Sequence, residues 1–223
     1  MVYKIEDRWS VFIESLILTI LIFLIGFSIG FYIEYARNSN IEKSYGLFEV
    51  EALDLKLQNY YYQAMDKSSC EEAIKQNYVF ADNLYDKGLI IERYEEANQI
   101  TDSLLNDKKK YVLLKTELWL NTILLKEKCS GEFDTIVYLY SSDSNNAAIV
   151  AEQQIISNVL KEIKDEKGNN VILLPIAGDL GLNIVDLQMR IYKIKSLPSI
   201  MINEEVVLEG YHSKEEIEGY LRN

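Results

Sequence analysis

An uncharged run from Ser15 to Ile33, SLILTILIFLIGFSIGFYI, lies between Glu14 and Glu34. As a helix it covers about 28 Å, close to the ~30 Å hydrocarbon core of a bilayer. The run is apolar on every face, and a buried helix of a soluble protein is not expected. Trp9 and Phe12 before it, with Tyr32 and Tyr35 at its end, suit the two membrane interfaces. A cleaved signal peptide has a shorter apolar core and small residues at its cleavage site. Here the run ends in FYIEYARNSN, and Glu6 and Asp7 stand beside Lys4 and Arg8 before it. Residues 15–35 are therefore read as an uncleaved transmembrane anchor, preceded by a flank at 1–14. Gly26 and Gly30 form a GxxxG pair, which offers a contact face for oligomer formation, although ordinary membrane-helix composition accounts for them as well. Lys4, Arg8 and the N-terminal amine precede the span and Arg37 and Lys43 follow it. This slight bias puts the N-terminus in the cytoplasm and the bulk of the chain outside.

Charge and composition exclude several functions. Across 223 residues, Lys+Arg 23 against Asp+Glu 35 gives a net charge of -12, so nucleic-acid phosphates find no basic face. An acidic surface suits a basic protein partner and names none. Two Cys and one His cannot build the usual four-ligand Cys/His zinc site. No metal and no cofactor is expected. GDLGLN at 178–183 lacks the full glycine pattern of a dinucleotide loop.

From residue 41 to 129 the pattern is helical. Leu47, Val50, Leu53, Leu57, Tyr60 or Tyr61, and Ala64 recur at steps of three and four and predict one core-facing stripe. Ser68 or Ser69 with Glu71 and Glu72 opens a second helix, which Lys87-Gly88 should end. Ile90, Tyr94, Ala97, Ile100 and Leu104 or Leu105 mark a third. After Asn106-Asp107, Tyr111, Leu114, Leu118, Thr122 and Leu125 mark a fourth, with Trp119 widening its stripe. Four helices with short joints predict an antiparallel bundle following the short NSN stretch at 38–40. The tyrosines fall mostly on the apolar stripes, so core packing is expected ahead of an aromatic binding surface. Lys108 to Lys110 read as a solvated helix start.

Cys70 opens the second helix and Cys129 closes the fourth. They are far too distant in sequence for a CxxC pair. An even count in an oxidising compartment suggests a structural disulfide. Such a loop would stabilise the fold by about 4 kcal/mol in the chain-entropy model. Two unrelated buried thiols, or a redox pair acting on substrates, are the alternatives.

At Phe133 the texture changes. FDTIVYLYS is a strand, and Ala148, Val150, Ile155, Val159 and Ile163 predict a helix after it. VILLPIAGD reads as a strand buried on both faces. GLNIVDLQMRIYKI is a helix, SIMI and VVLEG are strands about an Asn-Glu-Glu turn, and SKEEIEGYLRN is a helix capped by Ser213 with Glu216 three residues on. The fold class is α/β: an N-terminal transmembrane helix, a helical bundle at 41–129, and a βαβαββα domain at 133–223.

That order, with YLYSSDSNNA after the first strand, KSLPSIMIN at the third and EGYHSKEEIEGYL at the end, resembles the thioredoxin fold over the segment from Phe133 onward. The resemblance implies a cis bond at Leu197-Pro198 and puts Gly210 in the family's glycine position. The family's redox chemistry needs CxxC at the tip of the first helix, where the helix dipole lowers the thiol pKa. The matching positions read Ser144-Asn145-Asn146-Ala147, so Ser144 and Ala147 stand where the sulfurs would be. Dithiol exchange at this site is excluded. The resemblance also implies that Leu197, beside Pro198 and facing Ser144, offers backbone hydrogen bonds to an extended peptide. A scaffold in which Pro198 only shapes a turn is the competing account. His212 is the single histidine and reads as a surface residue, and Asp143 reads as a turn or cap residue ahead of a general base.

The functional expectation is a single-pass membrane protein with no catalytic residues and a redox-inactive thioredoxin-like domain. It would bind proteins in a chaperone-like or assembly role. The alternatives are an oxidoreductase-related enzyme using Cys70 and Cys129, and a purely structural tether.

Overall fold

A computed structural model of the chain describes residues 8–96, 102–129, 133–142, 144 and 146–222. The chain divides into two compact units, Met1–Leu47 and Phe48–Asn223. The first helix, α1 (Arg8–Ala64), begins in the first unit and supplies the opening helical segment of the second. The break expected at Asn38–Asn40 is not there. No proline or glycine stands between Phe31 and Tyr45, so nothing in the backbone forbids the helix.

In the first unit, Phe12–Ile33 is long and apolar enough to cross a membrane. All of its side chains are exposed. Its serine and threonine hydroxyls are satisfied inside the helix: Ser15, Thr19 and Ser28 donate to the carbonyls of Phe12, Ser15 and Leu24 at 2.9, 2.8 and 2.8 Å. That is the arrangement a hydrocarbon surrounding demands of polar groups. A Cβ at Gly26 or Gly30 would meet nothing within 4 Å, so packing within the described chain does not require either glycine.

In the second unit, α1 packs with α2 (Cys70–Glu96) and α3 (Asp102–Cys129). The expected second and fourth helices are longer than their local signals suggest. Gly88 lies inside α2, where a Cβ would overlap the hydroxyl of Tyr111; it permits close helix packing and caps nothing. Asn106-Asp107 lies inside α3, with Asp107 buried. Lys108 is buried too, against the expected solvated start. Of the expected third stripe, the side chains of Ile90, Tyr94, Ala97, Ile100 and Leu104 lie outside the described residues, and Leu105 is exposed.

The core face of α1 also differs from expectation. Leu55 and Tyr62 turn inward, at 0% and 3% exposure, together with Met65 just past the helix. The predicted stripe turns outward: Val50, Leu53, Leu57 and Tyr60 are 67%, 60%, 56% and 57% exposed. Polar partners hold the inner face. Asn59 donates to Asn121 Oδ1, Asn121 donates to the Leu55 carbonyl at 3.2 Å, and Lys87 pairs with Glu51. The tyrosines divide accordingly: Tyr62 and Tyr111 are buried, whereas Tyr60, Tyr61 and Tyr85 face solvent.

The remaining elements are β1 (Asp134–Tyr140), α4 (Ala147–Lys167), β2 (Val171–Ala177), α5 (Asn183–Ile191), β3 (Ser199–Ile202), β4 (Val206–Glu209) and α6 (Lys214–Glu218). The sheet order is β2-β1-β3-β4, with β1 parallel to β2 and the other pairs antiparallel. Alternate residues feed two cores, as the pleat requires. Ile136, Tyr138, Ile200 and Ile202 pack with Ile156, Leu160 and Ile163 of α4 and Ile217 of α6. Val137, Leu139, Ile172, Leu174 and Met201 pack with Val185 of α5 and with Leu114, Leu118 and Trp119 of α3. The helical segment and the sheet therefore share one core, and the two segments expected as separate domains pack together.

A half-buried polar network fixes the β3–β4 turn to α3. Trp119 Nε1 donates to Glu204 Oε1 at 2.9 Å, and Lys126 Nζ donates to Glu204 Oε2 at 3.3 Å and Asn203 Oδ1 at 2.8 Å. Asn203 Nδ2 donates to Asp134 Oδ1 at 2.7 Å, and Asn203 Oδ1 accepts from Thr135 N at 3.0 Å. Asn203 and Glu204 have φ of 52° and 60°, a left-handed conformation uncommon outside glycine. Their side-chain bonds hold it in place. Burial lowers the Lys126 pKa, and the Glu204 carboxylate partly restores it.

Candidate functional site

Register gathers the singled-out residues at one end of the sheet. Tyr140 pairs with Ala177, Leu139 with Ser199, and Ser199 with Glu209. The loop after β1, the Gly178-Asp179 turn, Leu197-Pro198 and Gly210 thus sit at the carboxyl end of the parallel strands. In open α/β sheets this is the end where ligands bind.

The loop between β1 and α4 is pinned from two sides. The Asp179 carboxylate accepts from Ser141 Oγ at 2.6 Å, from Ser142 Oγ at 2.8 Å and from Ser142 N at 2.8 Å. Gln153 of α4 clamps Ser141 reciprocally, accepting from its N–H at 2.7 Å and donating to its carbonyl at 3.0 Å. Tyr138 donates to the Gln153 carbonyl at 3.2 Å, and burial pushes the phenol pKa up to about 12, so it remains a donor. Asn146 caps α4 by accepting from Ala148 N at 3.0 Å, and Ser144 Oγ accepts from Asn146 N at 3.3 Å. Ala147 opens α4 and is exposed. Asp143 and Asn145 lie outside the described residues.

Across from this loop, the Leu197-Pro198 bond is cis and Pro198 is buried. The Pro198 carbonyl accepts from Gly210 N at 3.0 Å. Gly210 has φ 75°, a conformation that L side chains rarely adopt, so glycine is favoured there; a Cβ would stand 3.0 Å from Glu152 Oε1, a flexible side-chain end that can yield. Leu197 packs its side chain over Gly178, where a Cβ would lie 2.9 Å from Leu197 Cδ1. Among the described residues, nothing hydrogen-bonds to the Leu197 N–H or C=O.

The chemistry of this end is limited. The hydroxyls of Ser141 and Ser142 are directed at Asp179, with no imidazole between them. His212 is engaged at the start of α6, Nδ1 lying 2.9 Å from Glu216 Oε1 and Nε2 lying 3.2 Å from the Glu209 carbonyl. Among the described residues, no group of three or more His, Cys, Asp and Glu side chains could hold a metal ion. The two sulfurs are bonded to each other: Cys70 and Cys129 form a disulfide with S–S 2.06 Å. They pack with Tyr62, Met65, Ala73 and Leu125, all from the helical segment. Neither sulfur serves the tip of α4.

Asp179 and Gln153 carry the geometry of the site, and sequence reading missed both. Asp179 was visible only as part of GDLGLN, and Gln153 as one polar position of the helix after the first strand. Neither comparison with protein-family models nor comparison with curated proteins finds a match for this chain.

Proposed function

We propose that this is a single-span membrane protein whose sheet domain is a redox-silent thioredoxin-like domain that holds an extended segment of another protein against Leu197. The carrying observation is the bare Leu197 backbone beside a loop made rigid by Asp179 and Gln153. A strand laid there would gain backbone hydrogen bonds without displacing any made by Leu197, the logic of strand-type recognition. The βαβαββα order and the β2-β1-β3-β4 sheet support the likeness in fold. The Cys70–Cys129 bond supports an oxidising compartment for the unit from Phe48 onward, with the N-terminus in the cytoplasm. The role is chaperone-like or in assembly, and the helical segment serves as the mount that joins anchor to sheet.

The test is site-specific photocrosslinking in membranes from Ser196, which is exposed next to Leu197. The same probe at Glu205, exposed in the β3–β4 turn, is the control. Capture of polypeptide from Ser196 and none from Glu205 is expected. Equal capture, or capture from Glu205 alone, contradicts the reading. In parallel, purified protein should fail to reduce insulin. Turnover that disappears in Cys70→Ser would replace the binding role with an enzymatic one.

A further inference from the structure

We propose that the outward stripe of α1 (Val50, Leu53, Leu57 and Tyr60) packs in parallel against the same stripe of a second copy of the chain in the same membrane. Three observations lead there. First, the stripe has the 3-4-3 spacing of a coiled-coil seam, continued at the next step of four by exposed Ala64. Val50 and Leu53 are a β-branched residue followed by leucine, the pairing that favours two parallel strands. Second, this face is not available to the chain's own core, because Leu55 and Tyr62 already turn the opposite face of α1 inward. The helix keeps Asn59 on its packed side and Leu57 in water, the reverse of a monomer's surface helix.

Third, the size fits a tethered pair. With adjacent Tyr61, also exposed, the stripe presents on the order of 500–600 Å² per copy, at the top of the range for a monomer and short of the ~800 Å² per partner of a free-standing complex. Two copies anchored in one bilayer enter this helix from the same side and in the same direction. That raises their effective concentration and selects parallel pairing.

Cysteine crosslinking of the full-length protein in membranes tests this directly. Cys70 and Cys129 are bonded to each other, so an introduced cysteine is the single free thiol. Leu53→Cys and Leu57→Cys are expected to give several-fold more disulfide-linked homodimer than Lys75→Cys on the exposed side of α2. Both stripe residues are exposed, so Leu53→Asp with Leu57→Asp should keep the fold, read by circular dichroism. It should shift the detergent-solubilised protein from dimer to monomer. Crosslinking no greater than at Lys75→Cys overturns the proposal. So does crosslinking to a different protein, and so does a dimer that survives the double aspartate variant.

Discussion

The two ends of the sheet are built on opposite principles. At one end, α3 reaches over and saturates the β3–β4 turn: Trp119 and Lys126 meet Glu204 and Asn203, and Asn203 meets Asp134. At the other, the scaffold is equally rigid but stops short of Leu197, whose backbone stays bare among the described residues. Saturated polar groups tie elements together and leave nothing to offer a partner. A held frame around an unused backbone edge is what the proposed recognition would use.

The largest expected effect breaks the closed end. Trp119→Ala removes a fully buried ring that also stacks on Tyr192, and should cost about 3–5 kcal/mol in chemical denaturation. Next, Glu204→Ala strands the Trp119 N–H and leaves Lys126 without its carboxylate, for about 2–3 kcal/mol. Neither change should alter capture from Ser196 while the protein remains folded. At the open end the order of effects reverses. Gly178→Ala should cost only about 1–2 kcal/mol, because Leu197 can yield, yet it should reduce that capture strongly.

The smallest expected effect depends on pH and is shared by both regions. The phenols of Tyr62 and Tyr138 are each pushed up to about 12, chiefly by burial. Their folded pKa values lie above the unfolded 10.0, so their contribution is complete below pH 10 and is lost as pH rises toward 12. Lys126 acts oppositely: its pKa is lowered by burial, so its contribution grows with pH below 10.5. Melting temperature should therefore fall between pH 10 and 12, and Tyr138→Phe should blunt the fall.

Sequence reading recovered what local pattern encodes. SIMI is a strand with the bounds expected, VILLPIA is buried on both faces, and Ser213 caps α6 by accepting from Glu216 N. What it misjudged depends on distant partners. Periodicity in α1 marked an apolar face correctly but could not say what that face meets, and the core took Leu55 and Tyr62 instead. Gly88 looked like a cap because its partner, Tyr111, lies on another helix. The left-handed Asn203-Glu204 pair and the Asp179 pin likewise arise from contacts far away in sequence. At the site, Pro198 and the sulfur-free tip of α4 were legible because they are local. The clamp that makes the loop rigid was not.

Amide hydrogen exchange tests the central claim most directly. Full-length protein in lipid nanodiscs would be compared with and without a reduced, carboxymethylated polypeptide as an unfolded probe. The account predicts new protection at residues 196–199 and 141–142, with residues 203–205 unchanged. Protection confined to the β3–β4 turn, or none at Leu197 under saturating probe, would contradict it.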